Sequence, residues 1–366
     1  MNSTHHKNQW ICALFSLLLP AAGIGLFYLL RHNRVLMDHW VSNIMAPAEQ
    51  VLGRLWAPFP FSVAEAGIAV AIGGVVCWTL RAIVLLILQR RFKVFLRRMG
   101  VVISVSLWTW CLLCWMWNAS YYATSFTEKS GLSSQGHSPE ELLRTTLWFA
   151  QNTAELSTQI PRDSEGHFNV PPDDCFQRGV PIYDNLAEEF PFLNIPSVQA
   201  KPLFFSRLQS ILGFTGVYLP FSGEANVNVD APSCLIPATI AHEMSHQRMV
   251  ASEQEANFVG IAACLSSDDT VFQYSGYLQG LISLSNALRK ISPELWQQII
   301  DIYFTPELCT DWNDNYDYWN ALESPLEEGA EKTYDSFLKG NGQTLGIASY
   351  GACVDLLITY YLPKIA

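Results

Sequence analysis

Three apolar stretches, Trp10 to Leu30, Val63 to Leu88 and Val101 to Trp117, constrain this chain more than anything else in it. Crossing a hydrocarbon core about 30 Å thick takes roughly 20 apolar residues in helix, so residues 1–118 read as a three-span, multi-pass α-helical membrane region. Arg81 stands near one end of the second stretch, where a long side chain reaches the interface. The first stretch continues past Pro20, Ala21 and Ala22, which resemble a cleavage neighbourhood, through Phe27 to Leu30. An uncleaved anchor is therefore favoured over a signal peptide. Between the second and third stretches lie Arg90, Arg91, Lys93, Arg97 and Arg98, the densest basic cluster in the chain. A short loop this basic is expected to stay cytoplasmic, which sends the third span outward and leaves everything after residue 118 extracytoplasmic. Trp108, Trp110, Trp115, Trp117, Tyr121 and Tyr122 crowd the outer end of that span, as rings do at a headgroup interface.

Charge divides at the same boundary. Ten Lys/Arg and three Asp/Glu precede residue 119, leaving 12 and 30 of the totals of 22 and 33 behind it, so the front is net +7 and the rest net −18. The acidic part offers no footprint for nucleic acid and is repelled by anionic headgroups. The partners expected are a lipid bilayer and a peptide or protein substrate, with nucleic acid excluded.

Residues 119–139 are polar and contain Ser130, Gly131, Ser133, Ser134 and Gly136, the composition of a linker. A domain follows at 140–366. Helical periodicity is expected from Pro139 to Ile160 and over Phe204 to Leu212, an extended segment over Thr215 to Val229, a helix start at Pro237, and mostly helices afterwards. Five of the nine cysteines (Cys175, Cys234, Cys264, Cys309 and Cys353) lie in this part. An odd number excludes a complete disulfide framework in a monomer and leaves room for one or two bridges. Cys111 and Cys114 form a CxxC inside an apolar, tryptophan-flanked run, where packing is the expected role.

Residues 242–246 read His-Glu-Met-Ser-His. Four residues apart on a helix share a face, so His242 and His246 can offer both imidazoles to one ion. Glu243, about 100° round the helix, is then turned toward the open position as general base for a water that the metal acidifies. A catalytic zinc normally takes three protein ligands, and Glu253 and Glu255 compete to be the third. Ser252 with Glu255 spells an S-x-x-E capping box, which starts a helix at Glu253. If Glu255 closes that cap, Glu253 is the one left to coordinate, and Asn257 lies on its face as a partner for a ligating His. The competing readings are a solvated helix face without metal and a site kept for stability or sensing. A structural zinc usually takes several Cys, and none lies within 242–257. No His follows His246, so an oxyanion-stabilising group from the C-terminal part must be Tyr, Arg or Asn. Tyr274, Tyr277 and Tyr350 are the candidates, each weighed against a packing role.

His-Glu-Met-Ser-His followed by Glu253 and Asn257 resembles the gluzincin metallopeptidases, although those commonly carry an acidic residue at the position of Asn257 and a longer separation between the last His and the Glu. The full chain also resembles an uncharacterised family of bacterial membrane proteins known only as a domain of unknown function. The segments that carry this likeness are Tyr218 to Asn226, the HExxH with Glu-Ala-Asn-Phe, Tyr274-Ser-Gly-Tyr277, and Asn341-Gly-Gln to Ser349-Tyr-Gly351. The resemblance implies a mainly α (α+β) zincin-like domain, holding Zn2+ on His242, His246 and Glu253, behind the membrane region. By analogy with zincins, Val217 to Val229 is a candidate substrate-binding strand, with Glu224 and Asn226 near the cleft. The function expected is a membrane-anchored, extracytoplasmic zinc metalloendopeptidase; the alternative is a catalytically inactive zincin-like sensor or scaffold.

Overall fold

The computed structural model describes residues 2–365 apart from 90–91, 133–135, 344–345 and 347–348, and leaves aside the side chains of 2–14, 89 and 349–352. The chain is mostly helical and forms two compact units, Met1–Met45 with Val63–Ala123, and Ala46–Ser62 with Thr124–Ala366.

The first unit holds α1 (Asn2–Leu30), α2 (Arg34–Trp40), α4 (Val63–Gln89) and α5 (Phe92–Met116). Two stretches, Val63–Leu88 and Phe92–Met116, are long and apolar enough to cross a membrane. Only 6% and 11% of their most apolar windows are buried, so they are not the core helices of a globular protein, whose apolar side chains are mostly covered. The described apolar part of α1 is shorter, Phe15–Leu30. α1 and α5 are tied by Trp115 Nε1 donating to the Gly23 carbonyl at 3.0 Å and Ser104 Oγ to that of Ser16 at 2.8 Å. One expectation changes here. The helix of the third stretch begins at Phe92, so Lys93, Arg97 and Arg98 occupy its first two turns instead of a loop. Arg98 lies over the Trp78 ring at 4.5 Å, holding the basic end of α5 against α4. Arg90 and Arg91 lie outside the described residues.

The second unit begins with α3 (Ala46–Trp56), so residues 46–62, placed with the membrane region by a boundary at 118, pack with the C-terminal part. α3 is fastened by two buried contacts: Tyr218 donates to Glu49 Oε2 at 2.6 Å, and Lys201 Nζ donates to the Trp56 carbonyl at 2.6 Å and to Glu224 at 2.7 Å. The expected linker contains α6 (Phe126–Ser130), started by a Ser125–Glu128 capping box, with Phe126 buried among Phe190, Phe192 and Phe258.

Next come α7 (Pro139–Ser157), α8 (Pro172–Arg178) and α9 (Asp184–Glu189). A small sheet follows, built from β1 (Lys201–Pro202), β2 (Gly216–Leu219) and β3 (Glu224–Val227), with α10 (Ser206–Ile211) between the first two. Its order is β1-β3-β2, parallel then antiparallel, which makes β2 an edge strand. α11 (Ile236–His246), α12 (Glu253–Ser266) and α13 (Thr270–Ile291) then run to α14 (Pro293–Tyr303), α15 (Pro306–Asn320), α16 (Pro325–Gly340) and α17 (Ser349–Tyr361). Ser292-Pro293, Thr305-Pro306 and Ser324-Pro325 each open a helix with a hydroxyl that accepts the third backbone N–H and a proline that needs none. The core lies where α12 and α13 meet α7 and α17, around Phe149, Phe258, Phe272 and Leu357. The eight described cysteines are all free thiols.

Candidate metal centre

α11 starts as its sequence suggests, with Pro237 in the first turn, and buries nearly all of its surface against β2, β3, α12 and α13. His242 and His246 meet edge to face, ring centroids 4.9 Å apart. After His246 the chain reverses within a few residues because Met249 takes the left-handed backbone region, at φ 62°. That reversal turns the Val250 carbonyl back onto His246 Nδ1, at 2.7 Å. A carbonyl only accepts, so Nδ1 carries the proton and the lone pair of the neutral ring is on Nε2. Desolvation lowers the pKa of His246 to about 4, so the ring is neutral and suited to bind a metal.

α12 opens at Glu253 and lies against α11 with unusual closeness. A Cβ at Gly260 would stand 2.9 Å from the His242 backbone nitrogen, so only glycine permits this approach. Glu253 Oε2 is thereby held 3.3 Å from His242 Nε2 and 4.0 Å from His246 Nε2. Burial works to raise the pKa of Glu253, but the His242 hydrogen bond, both imidazoles and Tyr334 outweigh it and hold it at about 2. Burial works to lower the pKa of His242, but Glu253, Glu243 and Asn257 outweigh it and raise it.

His242, His246 and Glu253 present ligand atoms within 4.8 Å of one another. Bonds of about 2.0–2.1 Å set neighbouring ligands of a tetrahedral zinc roughly 3.3 Å apart. The His242–Glu253 edge has that length already, and rotation of buried side chains by about an ångström closes the wider ones. The donor set of two imidazoles and a carboxylate suits zinc. Glu243 adds a second indication: its Oε2 is buried without a hydrogen-bond partner, a costly state for a carboxyl oxygen unless something further binds there. Burial pushes the pKa of Glu243 up to about 8. Its other oxygen abuts β2, where a Cβ at Gly216 would come within 2.5 Å of Oε1. The edge strand therefore runs directly beside Glu243.

Of the two carboxylates left open by the sequence, Glu253 lies with the imidazoles and Glu255 does not. The capping box expected at Ser252 does not form: Ser252 is the N-cap but its hydroxyl accepts no N–H from the helix. Glu255 instead accepts from the backbone N–H of Phe126 at 3.1 Å and of Thr127 at 3.0 Å, and from the Thr127 hydroxyl at 2.7 Å. It caps α6, whose first amides need an acceptor. Tyr274 is fully buried and donates to Asp311, beside Arg162. Tyr277 packs against Trp148 and Phe149. Tyr350 belongs to the first turn of α17, and its side chain lies outside the described residues. Glu224 is paired with Lys201, and the Asn226 amide donates to the Glu224 and Val217 carbonyls.

Two further residues reach the site, of which only Tyr218 falls in a segment singled out by the sequence. Tyr334, on α16, donates its hydroxyl to Glu253 Oε1, and Tyr218 stands with its ring 6.3 Å from that of His246. No spacing rule signals Tyr334, 81 positions from its partner.

The family model described as "Protein of unknown function (DUF3810)" matches residues 41–358, a span that includes α3 and every residue of the candidate centre. No curated protein and no solved structure matches the chain.

Proposed function

We propose that this chain, which belongs to the DUF3810 family, is a membrane-anchored zinc metallopeptidase whose second unit hydrolyses peptide bonds outside the cytoplasm. The observation that carries this reading is the triangle of His242, His246 and Glu253 beside a Glu243 oxygen that has no protein partner. In it, His242, His246 and Glu253 hold the ion. Bound zinc supplies Lewis acidity toward a carbonyl and brings the pKa of water toward neutrality.

The remaining work falls to the chain's own groups. Glu243 takes the proton of the attacking water through its unpartnered oxygen and returns it to the departing amine. The Val250 carbonyl keeps His246 in the tautomer with Nε2 free, and Asn257 steadies His242. Tyr334 fixes the rotamer of Glu253. The edge strand β2 offers backbone hydrogen bonds to an extended substrate, which suits a polypeptide better than a small molecule.

The zincin-like fold and the three-span membrane region belong to the same proposal. Ala46–Ser62 and Thr124–Ala366 form one body, so both lie on one side of a bilayer and the intervening α4 and α5 go out and come back. Lys93, Arg97 and Arg98 then stand at the far turn, and the preference of basic residues for the cytoplasm supports an extracytoplasmic second unit.

The test is Glu243→Gln in the full chain. It is expected to keep about one equivalent of zinc and lose about 10²- to 10⁴-fold in peptide cleavage; unchanged turnover sinks the assignment. Protein purified without zinc, whose melting is indifferent to chelator, favours the alternative of a catalytically inactive zincin-like sensor or scaffold.

A further inference from the structure

We propose that the second unit carries its own lipid-binding face, made by the outward side of α3, the loop from α3 to α4 and the start of α10, which enters the headgroup region on its side of the bilayer. The proposal rests on the membrane-anchored reading but not on hydrolysis.

α3 is amphipathic in an unusual sense. Its inner side is bonded to the sheet through Glu49, while Val51, Leu55 and Phe59 recur every four residues with 64%, 57% and 43% of their surface exposed. Phe61 follows at 48%, two residues before the span at Val63 begins. Fully extended, two residues reach about 7 Å and four about 14 Å, so Phe61 stands at the membrane wherever α4 enters it and Phe59 lies within one further step of it. A second apolar group adjoins them: Phe204 is 83% exposed and Leu208 54%. The two groups are neighbours, since Phe59 and Pro60 line one cavity together with Lys201 and Pro202, and Lys201 is bonded to the Trp56 carbonyl. Apolar residues scattered singly over a surface mean little, whereas a contiguous aromatic patch marks an interaction site.

Charge selects the partner. Residues 119–366 hold 30 Asp/Glu, yet none falls within 190–223 and none within 50–64. Arg54 and Arg207 are exposed there, Lys201 is buried against Glu224, and the carboxylates that come near are Asp230, paired with Arg207 at 3.2 Å, and Asp173, which lines the cavity beside Phe59. An acidic body is repelled by anionic headgroups over most of its surface and approaches them most readily through the side where carboxylates are fewest. Phenylalanine rings flanked by arginine are what such an interface takes up. α10 leads through Gly213 into β2, whose Gly216 abuts Glu243. Seating α10 in the headgroups therefore keeps the metal centre close above them. The polypeptides within its reach are segments adjoining the bilayer, such as the juxtamembrane parts of membrane proteins.

The experiment replaces Phe204, and separately Leu326, with p-benzoylphenylalanine in the full chain reconstituted in vesicles of phosphatidylethanolamine and phosphatidylglycerol, with the same substitution at Ile72 in α4 as the positive control. On irradiation, lipid adducts are expected at positions 72 and 204 and not at 326, where Leu326 is exposed on α16. Adducts at 72 alone overturn the proposal. So does crosslinking from 204 to a second copy of the chain, or equal lipid labelling at 204 and 326. None of these readouts requires peptide cleavage, so a failed peptidase assay leaves the outcome intact.

Discussion

The second unit buries two groups of ionisable side chains that differ in how their charge is met. Around Asp311, a guanidinium answers the carboxylate: Arg162 Nη1 donates to Oδ1 at 2.7 Å and Tyr274 donates to the other oxygen. Around Glu253, the groups that offset burial are two imidazoles, those of His242 and His246, and a phenol. The first cluster brings its own cation. The second gathers the donor atoms of His242, His246 and Glu253 around one point, with a Glu243 oxygen left over. Both clusters leave one buried polar atom without a hydrogen-bond partner, Arg162 Nε and Glu243 Oε2, but only in the second do two imidazoles and a carboxylate converge on one point, which is what the proposed metal site requires.

The largest expected effect tests the complete cluster. Asp311→Ala strands the Arg162 guanidinium and should cost about 3–5 kcal/mol of stability by chemical denaturation, while Asp311→Leu combined with Arg162→Met should recover most of it. Zinc content of the folded fraction should not change. If it falls, the two clusters are not independent and the contrast fails.

Chelation tests the incomplete one. At metal concentrations about 1,000-fold above the dissociation constant, zinc contributes roughly 4 kcal/mol, or about 8–16 °C in melting temperature for a body of this size. Chelator should remove that increment from the wild type and leave His246→Ala unmoved; equal responses would erase the distinction.

Tyr334→Phe and Tyr274→Phe set the phenols of the two clusters against each other. The first should weaken zinc affinity by about 10- to 100-fold, measured by competition with a chelating dye, and the second should not change it. The smallest effect concerns the turn between the imidazoles and Glu253. Met249→Gly should be neutral within about 0.5 kcal/mol, because relief of the left-handed backbone is offset by the entropy of glycine. Met249→Val, whose branched side chain resists φ 62°, should cost more in zinc affinity than in folding.

Local pattern made much of this legible. Pro237 gave the start of α11, the four-residue interval gave the shared face of His242 and His246, and Ser252 gave the start of α12. The same local reasoning misread Glu255. The S-x-x-E spacing is a rule about one helix end, and here the amides of another, α6, compete for the carboxylate and win. Tyr334 escaped because contacts between distant elements leave no periodic trace. Residues 46–62 looked like a connection between spans because a lone Glu49 and a lone Trp56 announce nothing until the sheet that receives them is in place. The glycine at 260 was equally silent: its role is defined by the backbone of α11 passing 2.9 Å from where its Cβ would be.

The fastening of α3 has a consequence for how the molecule is made. Translation releases residues 46–62 well before the strand and lysine that clasp them, and α4 and α5 emerge in between. The unit that holds the candidate centre therefore cannot finish assembling until both apolar helices have emerged and its last helices have arrived. A fragment cut to begin at residue 124 would strip Tyr218 of Glu49 and Lys201 of the Trp56 carbonyl, so folding of the second unit is tied to a segment that precedes the two apolar helices and a detached version should be poorly soluble.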